Sequence, residues 1–353
     1  MSDTPAPRPD PLRSAAFAAD LDAADLRSEP LRRLWGEEAD DALARGLREP
    51  ILRAIAEDEG VLATLGRLLV LGLPQPRAAV ERALPTLGVD GLEALGLATT
   101  DADTVTPSAL LRPQSFVDED GVGEWWIASD LDEVALDGPL PADHVLGVGG
   151  ASRTLAETVV PLAVDRALDL GTGCGIQALL VARRAGRVVA TDVSRRALAY
   201  AALNAQLNGV TNIEFRHGSM FEPVAGEAFD LIVSNPPFVI TPRTAGVPAY
   251  EYRDGGLVGD AAPGSSQRSA SLADGGRSTA ENVPVSGSSN ENPDWQAVAA
   301  AVQASVVAID VKTSSGEAQG SGVIIDDAGH VLTNNHVVAG AEGNVQVTLT
   351  DGR

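Results

Sequence analysis

Asp169-Leu-Gly-Thr-Gly-Cys-Gly175 decides the fold class of this chain, because it follows a short apolar run and precedes a helical pattern. The glycines Gly171, Gly173 and Gly175 let the backbone turn sharply and approach a ligand without an intervening Cβ atom. The spacing differs from the G-x-G-x-x-G pattern of dinucleotide folds. A strand, a glycine-rich turn and a helix in this order predict a nucleotide-sized pocket at the end of the strand.

Short apolar segments at 166–170, 188–191, 213–216 and 230–234 alternate with helical patterns. This alternation predicts an α/β fold with a parallel sheet that is covered on both faces. Asp192 closes the second of these strands, where a carboxylate can accept hydrogen bonds from both ribose hydroxyls of a nucleotide. The alternative role for Asp192 is to cap the helix at 194–208.

Asn235-Pro236-Pro237-Phe238 follows the fourth apolar segment, on the edge where open α/β sheets bind ligands. A polar amide beside an aromatic ring suits the binding of a planar nitrogen. With this tetrad, residues 12–260 resemble the class I S-adenosylmethionine-dependent methyltransferases of the "small" branch. That branch includes release-factor glutamine methyltransferases and ribosomal RNA guanine-N2 methyltransferases. The tetrad is the specific part of the resemblance, whereas the glycine loop is generic.

The resemblance implies an incomplete Rossmann-like methyltransferase sheet that binds S-adenosylmethionine and methylates nitrogen. The implied catalytic residues are Asn235, Pro236, Pro237 and Phe238. The side chain of Asn235 and the carbonyl of Pro236 would hold the target NH₂, and Phe238 would pack on the planar acceptor. The implied cofactor-binding residues are Asp169, Gly171, Thr172, Gly173, Gly175, Asp192, Ser219 and Met220.

Two segments near the tetrad and glycine loop refine this expectation. The loop 218–221 has Ser219 where the family usually has an acidic residue for the adenine amino group, so we expect Met220 and Phe221 to sandwich the ring instead. The segment 144–153 matches the part of the family that closes over the methionine end of the cofactor. Its helix is predicted to begin near Ser152, with Ser152 as the N-cap.

The N-terminal region carries helical periodicity from about residue 12 to residue 95, followed by a polar stretch and a β-like run. We predict disorder for 1–11, a helical domain for 12–113, and a methyltransferase core that lacks its last strands for 114–260. Three helices followed by a hairpin resemble a winged-helix arrangement. A plain helical cap on the catalytic domain is the alternative, and the excess of acidic residues favours it.

The composition of the chain argues against several classes of function. The net charge of −23 argues against a protein that coats nucleic acid through bulk electrostatics, although a local basic groove stays open. Cys174 is the only cysteine, so we expect no disulfide framework and no metal site. Because there is neither a membrane-length apolar run nor a signal-peptide core, we predict a cytoplasmic protein.

The C-terminal region has a different character. Residues 261–293 read as a Ser/Gly-rich linker. The stretch from Gly320 to Val338 resembles the start of a trypsin-like serine protease of the high-temperature-requirement (DegP-like) family. His336 would correspond to the catalytic histidine, and 294–353 would be a β fragment of the trypsin-like barrel. Because a triad also needs an aspartate and a nucleophilic serine, we expect no proteolysis.

These observations leave several functions open. The leading hypothesis is a methyltransferase whose acceptor is a protein glutamine or an RNA base amine. The alternatives are a protease fragment, a non-catalytic binding module, or an inactive chimera of two unrelated sequences joined near residue 260. The sequence leaves the oligomeric state undetermined.

Overall fold

The computed structural model describes residues 5–118, 121–136, 138, 140–159, 162–235, 306–313, 316–324, 331–333 and 345–349. The described residues belong to two compact units, one ending with Asn235 and the other beginning with Val306. The predicted linker at 261–293 lies outside the described residues.

The first unit begins with a run of helices, and strands and helices alternate between residues 164 and 217. Its helices are α1 (Pro11–Ala23), α2 (Ser28–Trp35), α3 (Glu37–Ala44), α4 (Glu49–Ala54), α5 (Val61–Leu65), α6 (Arg77–Ala83), α7 (Gly88–Ala94), α8 (Glu133–Leu136), α9 (Gly150–Thr158), α10 (Ile176–Ala182) and α11 (Arg195–Leu207). Its strands are β1 (Gln75–Pro76), β2 (Ala98–Thr100), β3 (Thr104–Pro107), β4 (Ala109–Asp118), β5 (Gly121–Asp130), β6 (Val164–Leu170), β7 (Ala185–Asp192), β8 (Ile213–His217) and β9 (Leu231–Ser234).

Residues 5–11, the described part of the segment for which we predicted disorder, form hydrogen bonds and the start of a helix. The N–H of Arg8 donates to the carbonyl of Leu95 at 2.8 Å. Asp10 caps α1 by accepting from the N–H of Arg13, and Pro11 supplies a fixed φ in the first turn. These local bonds hold the segment against the helical region.

A small antiparallel sheet follows the first helices. Its strand order is β1-β3-β2, and the chain runs from α5 through β1, α6 and α7 before it returns in β2 and β3. A π-helical turn, Gly66–Val70, separates α5 from β1. Helices and a hairpin therefore occur together here, as the sequence indicated.

The long hairpin of β4 and β5 crosses the boundary that we predicted between residues 113 and 114. Pro113 pairs with Trp126 in the middle of this hairpin, so residue 113 lies inside a strand. Trp125 and Trp126 are buried, and the indole N–H of Trp126 donates to the carbonyl of Leu26 at 2.7 Å. The tryptophan pair therefore belongs to the core and attaches the hairpin to the helical region.

The parallel sheet confirms the predicted α/β fold. Its strand order is β8-β7-β6-β9, and all three pairings are parallel. Alternate residues enter different hydrophobic clusters, because successive side chains of a strand point to opposite faces. Ala167 and Val188 belong to one cluster, whereas Leu168 and Val189 belong to another.

The second unit contains a four-stranded antiparallel sheet of order β12-β11-β10-β13. Its strands are β10 (Val306–Thr313), β11 (Gly316–Ile324), β12 (Val331–Thr333) and β13 (Gln346–Leu349). Val307, Ile309 and Val311 are buried on one face of β10. The predicted catalytic histidine, His336, lies outside the described residues, so the resemblance to a protease stays a prediction.

Candidate active site

The glycine loop between β6 and α10 is left-handed at each of its three glycines. The φ angles are 72° at Gly171, 55° at Gly173 and 87° at Gly175, a region that favours glycine. A Cβ atom on Gly175 would lie 2.9 Å from the Cβ of Ala201 in α11. On Gly173 it would meet no described atom within 4 Å. Gly175 is thus needed for packing, and Gly173 is the point where a ligand can approach the backbone.

Asp169 lies beneath this loop rather than on its surface. Its side chain is fully buried, and its Oδ2 accepts a hydrogen bond from the Thr172 hydroxyl at 2.6 Å. Burial, with a smaller contribution from the nearby charge of Asp192, raises the pKa of Asp169 to about 7, although the hydrogen bond from Thr172 opposes the shift. Thr172 is buried as well. Both predicted cofactor-binding residues therefore shape the loop from its inner side.

Asp192, at the end of β7, connects two neighbouring segments. Its Oδ2 accepts from the N–H of Gly173 at 2.9 Å, and its Oδ1 accepts from the N–H of Ser194 at 2.8 Å. Ser194 is the N-cap of α11, so the alternative capping role of Asp192 is taken by Ser194. The backbone N–H of Val193 contributes a third hydrogen bond, and the carboxylate keeps further acceptor capacity. Burial raises the pKa of Asp192 from its ordinary value.

The loop after β8 lies next to Asp192, because the N–H of Gly218 donates to the Asp192 carbonyl at 3.0 Å. Ser219 and Met220 are exposed, as residues of a ligand-binding loop would be. Phe221 instead packs against the cluster of Leu168 and its neighbours. Phe221 is only partly buried, so the expectation that it sandwiches an adenine stays a prediction.

Val193 is a candidate that the sequence analysis missed. It directly follows Asp192 and is 59% exposed, which is unusual for an apolar side chain beside a buried strand. Met220 is 42% exposed on the neighbouring loop. The sequence signal that could have identified Val193 is an apolar residue directly after the carboxylate that ends a strand. Together the two side chains offer an apolar surface beside a hydrogen-bonding carboxylate.

Asn235 lies on the same edge of the sheet as the glycine loop. Ser234 pairs with Leu170, and its hydroxyl donates to the Leu170 carbonyl at 2.7 Å. Asn235 follows directly, and its Nδ2 donates to the hydroxyl of Ser152 at 3.1 Å. The other members of the tetrad, Pro236, Pro237 and Phe238, lie outside the described residues.

Helix α9 brings the predicted cofactor-closing segment to this edge. The helix begins at Gly150 with Gly149 as its N-cap, so the prediction that Ser152 is the N-cap is wrong. The carbonyl of Ser152 accepts from Nε2 of Gln177, the second residue of α10, at 2.6 Å. Segment 144–153 therefore contacts α10 and Asn235, whereas its closure over a cofactor stays a prediction.

The only cysteine of the chain lies in this site but is not a reactive thiol. Cys174 is buried in the glycine loop, and burial raises the pKa of its thiol to about 11, which makes it a poor nucleophile. Within the described ranges, no group of three or more His, Cys, Asp or Glu side chains could hold a metal ion. A search of the same residues found no helix that is long and apolar enough to span a membrane.

Comparison with protein families identifies two segments of the chain. Residues 147–246 match the family described as "Methyltransferase small domain". Residues 23–108 match the family described as "Domain of unknown function (DUF7059)". The first match confirms the resemblance to methyltransferases for the part of the chain that contains the glycine loop and Asn235.

Comparison with individual proteins agrees with this assignment. A release factor glutamine methyltransferase of Xylella fastidiosa is 44% identical over 97 residues, covering 25% of this chain and 35% of that protein. A ribosomal protein uL3 glutamine methyltransferase of Bordetella pertussis is 42% identical over 96 residues, covering 26% of this chain and 32% of that protein. The matched segment therefore spans about a third of each relative.

Solved structures were compared as well. The T. thermophilus 16S rRNA N2 methyltransferase in complex with AdoMet and guanosine is 21% identical to this chain. That match covers 48% of this chain and 47% of the other, with a TM-score of 0.28.

Proposed function

We propose that this chain transfers a methyl group from S-adenosylmethionine to the side-chain amide nitrogen of a glutamine in a protein. The position of Asn235 carries the proposal, since it directly follows β9 beside the glycine loop. A neutral amide there can accept a hydrogen bond from a planar N–H group. The glutamine methyltransferases that match this segment support the choice of acceptor.

The described residues fit the proposed cofactor. Asp192 has acceptor capacity for the ribose hydroxyls, and the exposed Val193 and Met220 suit the planar adenine. Oδ1 of Asp169 and Oε1 of Gln177 are buried and, among the described residues, have no hydrogen-bond partner. Buried polar atoms normally have one, so these two atoms indicate a place for a polar ligand.

Bound S-adenosylmethionine would supply a methyl group on a sulfonium, with the thioether as the leaving group. The contribution of the chain is positioning. By resemblance, Asn235 and the Pro236 carbonyl accept hydrogen bonds from the two N–H groups of the target, and Phe238 packs against its plane. The nitrogen is thereby oriented towards the methyl carbon, and a proton is lost to water as the new bond forms. Such positioning alone can account for a large rate enhancement.

A protein acceptor is favoured over RNA. The net charge of −23 opposes the neutralisation of phosphates on which RNA affinity depends. For the region around β1, β2 and β3, the excess of acidic residues favours a plain helical cap over a winged-helix arrangement that binds nucleic acid. Helix α7, the last helix before its hairpin, carries Asp90 and Glu93 and no basic residue. We therefore propose that this region contacts protein.

The first test is cofactor binding measured by titration calorimetry on the full chain. Asp192→Ala is expected to weaken S-adenosylmethionine binding at least tenfold, because a charge-assisted pair of hydrogen bonds is lost. Asp165→Ala is the matched control, since Asp165 is an exposed carboxylate near the opposite end of the sheet. Saturable binding that both variants retain equally would contradict the assignment of Asp192.

The second test is transfer of a tritiated methyl group to purified release factors, ribosomal protein uL3 and ribosomal RNA. Transfer to a glutamine of either protein is expected, and Asn235→Ala should abolish it while leaving cofactor affinity within about twofold of the unmodified chain. Transfer to RNA alone would overturn the choice of acceptor. Absence of transfer in the presence of cofactor binding would overturn the proposed activity.

A further inference from the structure

Ser152 occupies an unexpected place in α9. It is the third residue of the helix, and its hydroxyl accepts a hydrogen bond from Nδ2 of Asn235 at 3.1 Å. The two residues are 83 positions apart in the sequence, so the contact joins separate elements of the fold. A helical serine more commonly bonds to the preceding turn, and this contact therefore calls for an explanation.

The position of Ser152 is itself fixed by a second hydrogen bond. Its carbonyl accepts from Nε2 of Gln177 at 2.6 Å, and the Gln177 side chain is 3% exposed. Gln177 lies two residues after Gly175, the last glycine of the loop. The backbone of Ser152 therefore contacts Gln177, on the proposed cofactor side of the site. Its side chain contacts Asn235, on the proposed acceptor side.

We infer that Ser152 is a positioning residue that fixes the orientation of the Asn235 amide, an inference that rests on the proposed function. Because Nδ2 is bound to Ser152, Oδ1 is the atom left to accept from the target. An amide rotated by 180° would present its NH₂ to the target NH₂, and two donors cannot form a hydrogen bond. Ser152 thus holds the Asn235 side chain in the place where Oδ1 can accept an N–H group of the target.

The kinetic test compares Ser152→Ala and Ser152→Thr with the unmodified chain, using release factor and tritiated cofactor. Ser152→Ala is expected to lower kcat about tenfold, the effect of roughly one hydrogen bond in the transition state. Cofactor affinity should stay within twofold, and Ser152→Thr should restore most of the rate. Thr154→Ala is the matched control, because it removes a hydroxyl from an exposed position of the same helix.

A double-mutant cycle separates positioning from a general structural role. In the Asn235→Ala background, Ser152→Ala is expected to have no further effect on residual transfer, because the amide that it orients is gone. Unchanged kcat in Ser152→Ala alone, or an equal loss in the Asn235→Ala background, would overturn the inference. So would a tenfold loss of cofactor affinity, which would make Ser152 a cofactor ligand.

Side-chain amide resonances test the same contact without any acceptor. The Asn235 pair is assigned by its loss in Asn235→Ala, and it is expected to shift in Ser152→Ala but to stay near its original position in Ser152→Thr. No shift in Ser152→Ala would overturn the contact. If no acceptor is methylated, the proposed function fails, yet these spectra still decide whether Ser152 orients the amide.

Discussion

Two buried carboxylates in the first unit, Asp130 and Asp169, have opposite surroundings. Asp130 ends β5 and accepts from Nε of Arg196 at 2.8 Å, from the Tyr200 hydroxyl at 2.7 Å and from the N–H of Val145 at 2.9 Å. Asp169 accepts from the Thr172 hydroxyl, and its Oδ1 has no partner among the described residues. One carboxylate is thus matched by a buried cation, whereas the other is not.

The difference lies in how each buried charge is compensated. A buried charge is tolerated when a counter-charge and further hydrogen bonds accompany it, as they do at Asp130. Without a counter-charge, burial raises the pKa of Asp169 to about 7. A site that lacks its own cation can gain electrostatic energy from a positively charged ligand, and the sulfonium of the proposed cofactor is one.

The residues around Asp130 and the glycine loop above Asp169 both form hydrogen bonds with helix α11. Arg196 and Tyr200, which bind Asp130, belong to α11. Asn204, one turn further on, exchanges two hydrogen bonds with the backbone of Ala128 and donates to the carbonyl of Cys174 at 2.8 Å. Helix α11 therefore fixes the hairpin and the glycine loop relative to each other.

The largest expected effect follows from removing the satisfied carboxylate. Asp130→Ala should lower the free energy of unfolding by about 3 to 5 kcal/mol, because Arg196 would stay buried without its counter-charge. Urea denaturation monitored by circular dichroism measures this change. Asp22→Ala, which breaks the exposed pair with Arg27, should cost less than about 1 kcal/mol. Similar losses in the two variants would show that the Asp130 network is not structural.

Asp169→Asn should change how stability depends on pH. Because the folded-state pKa is raised to about 7 from 3.8, the protonated carboxyl stabilises the fold at low pH, and this stability is lost as pH rises through 7. Between pH 5 and pH 8 the unmodified chain should lose on the order of 3 kcal/mol that Asp169→Asn keeps. Denaturation at several pH values measures the difference.

Asp165→Asn is the control for this pH dependence, since Asp165 lies on the same strand but is exposed. Its denaturation profile should follow that of the unmodified chain. If Asp169→Asn also follows it, the contrast between Asp130 and Asp169 is not electrostatic.

A smaller effect is expected from the packing between the glycine loop and α11. Gly175→Ala should destabilise the fold by about 2 to 3 kcal/mol, through a left-handed φ and the 2.9 Å approach to Ala201. Gly209→Ala separates the two causes, because Gly209 has a φ of 66° but no described atom near the added Cβ. Equal melting temperatures for the two variants would mean that the contact with α11 is unimportant.

The sequence predicted the parallel strands and the glycine loop because both depend on local patterns. Strand β7, expected at 188–191, occurs at Ala185–Asp192, and Asp192 ends it as predicted. The hairpin boundary at 113 was missed because Pro113 and the polar residues around it resemble a loop. Only the pairing with β5, where Pro113 lies opposite Trp126, shows the strand.

Long-range contacts could not be predicted from the sequence, because local patterns do not show which distant residues meet. Ser152 matches the local preferences of a helix N-cap, and nothing near it indicates a contact with Asn235. Phe221 was assigned to the ligand because its neighbours suggest a binding loop, whereas packing against Leu168 is decided by the tertiary fold. Residue type thus predicted the chemistry available at the site, but not which polar groups would bind each other.

The smallest expected effect concerns Cys174 in the glycine loop. Like Asp130, it is buried and is bound by a side chain of helix α11. A thiol of pKa about 11 is ionised in only about one molecule in 1,000 at pH 8, so labelling by a disulfide reagent should be slow until denaturant is added. Asn204→Ala removes the bond to the Cys174 carbonyl and should speed labelling by allowing the loop to open. Asn208→Ala removes only the bonds to Trp126 and the preceding helical turn and should speed it less. Equal acceleration would mean that α11 holds the loop through overall stability rather than through Asn204.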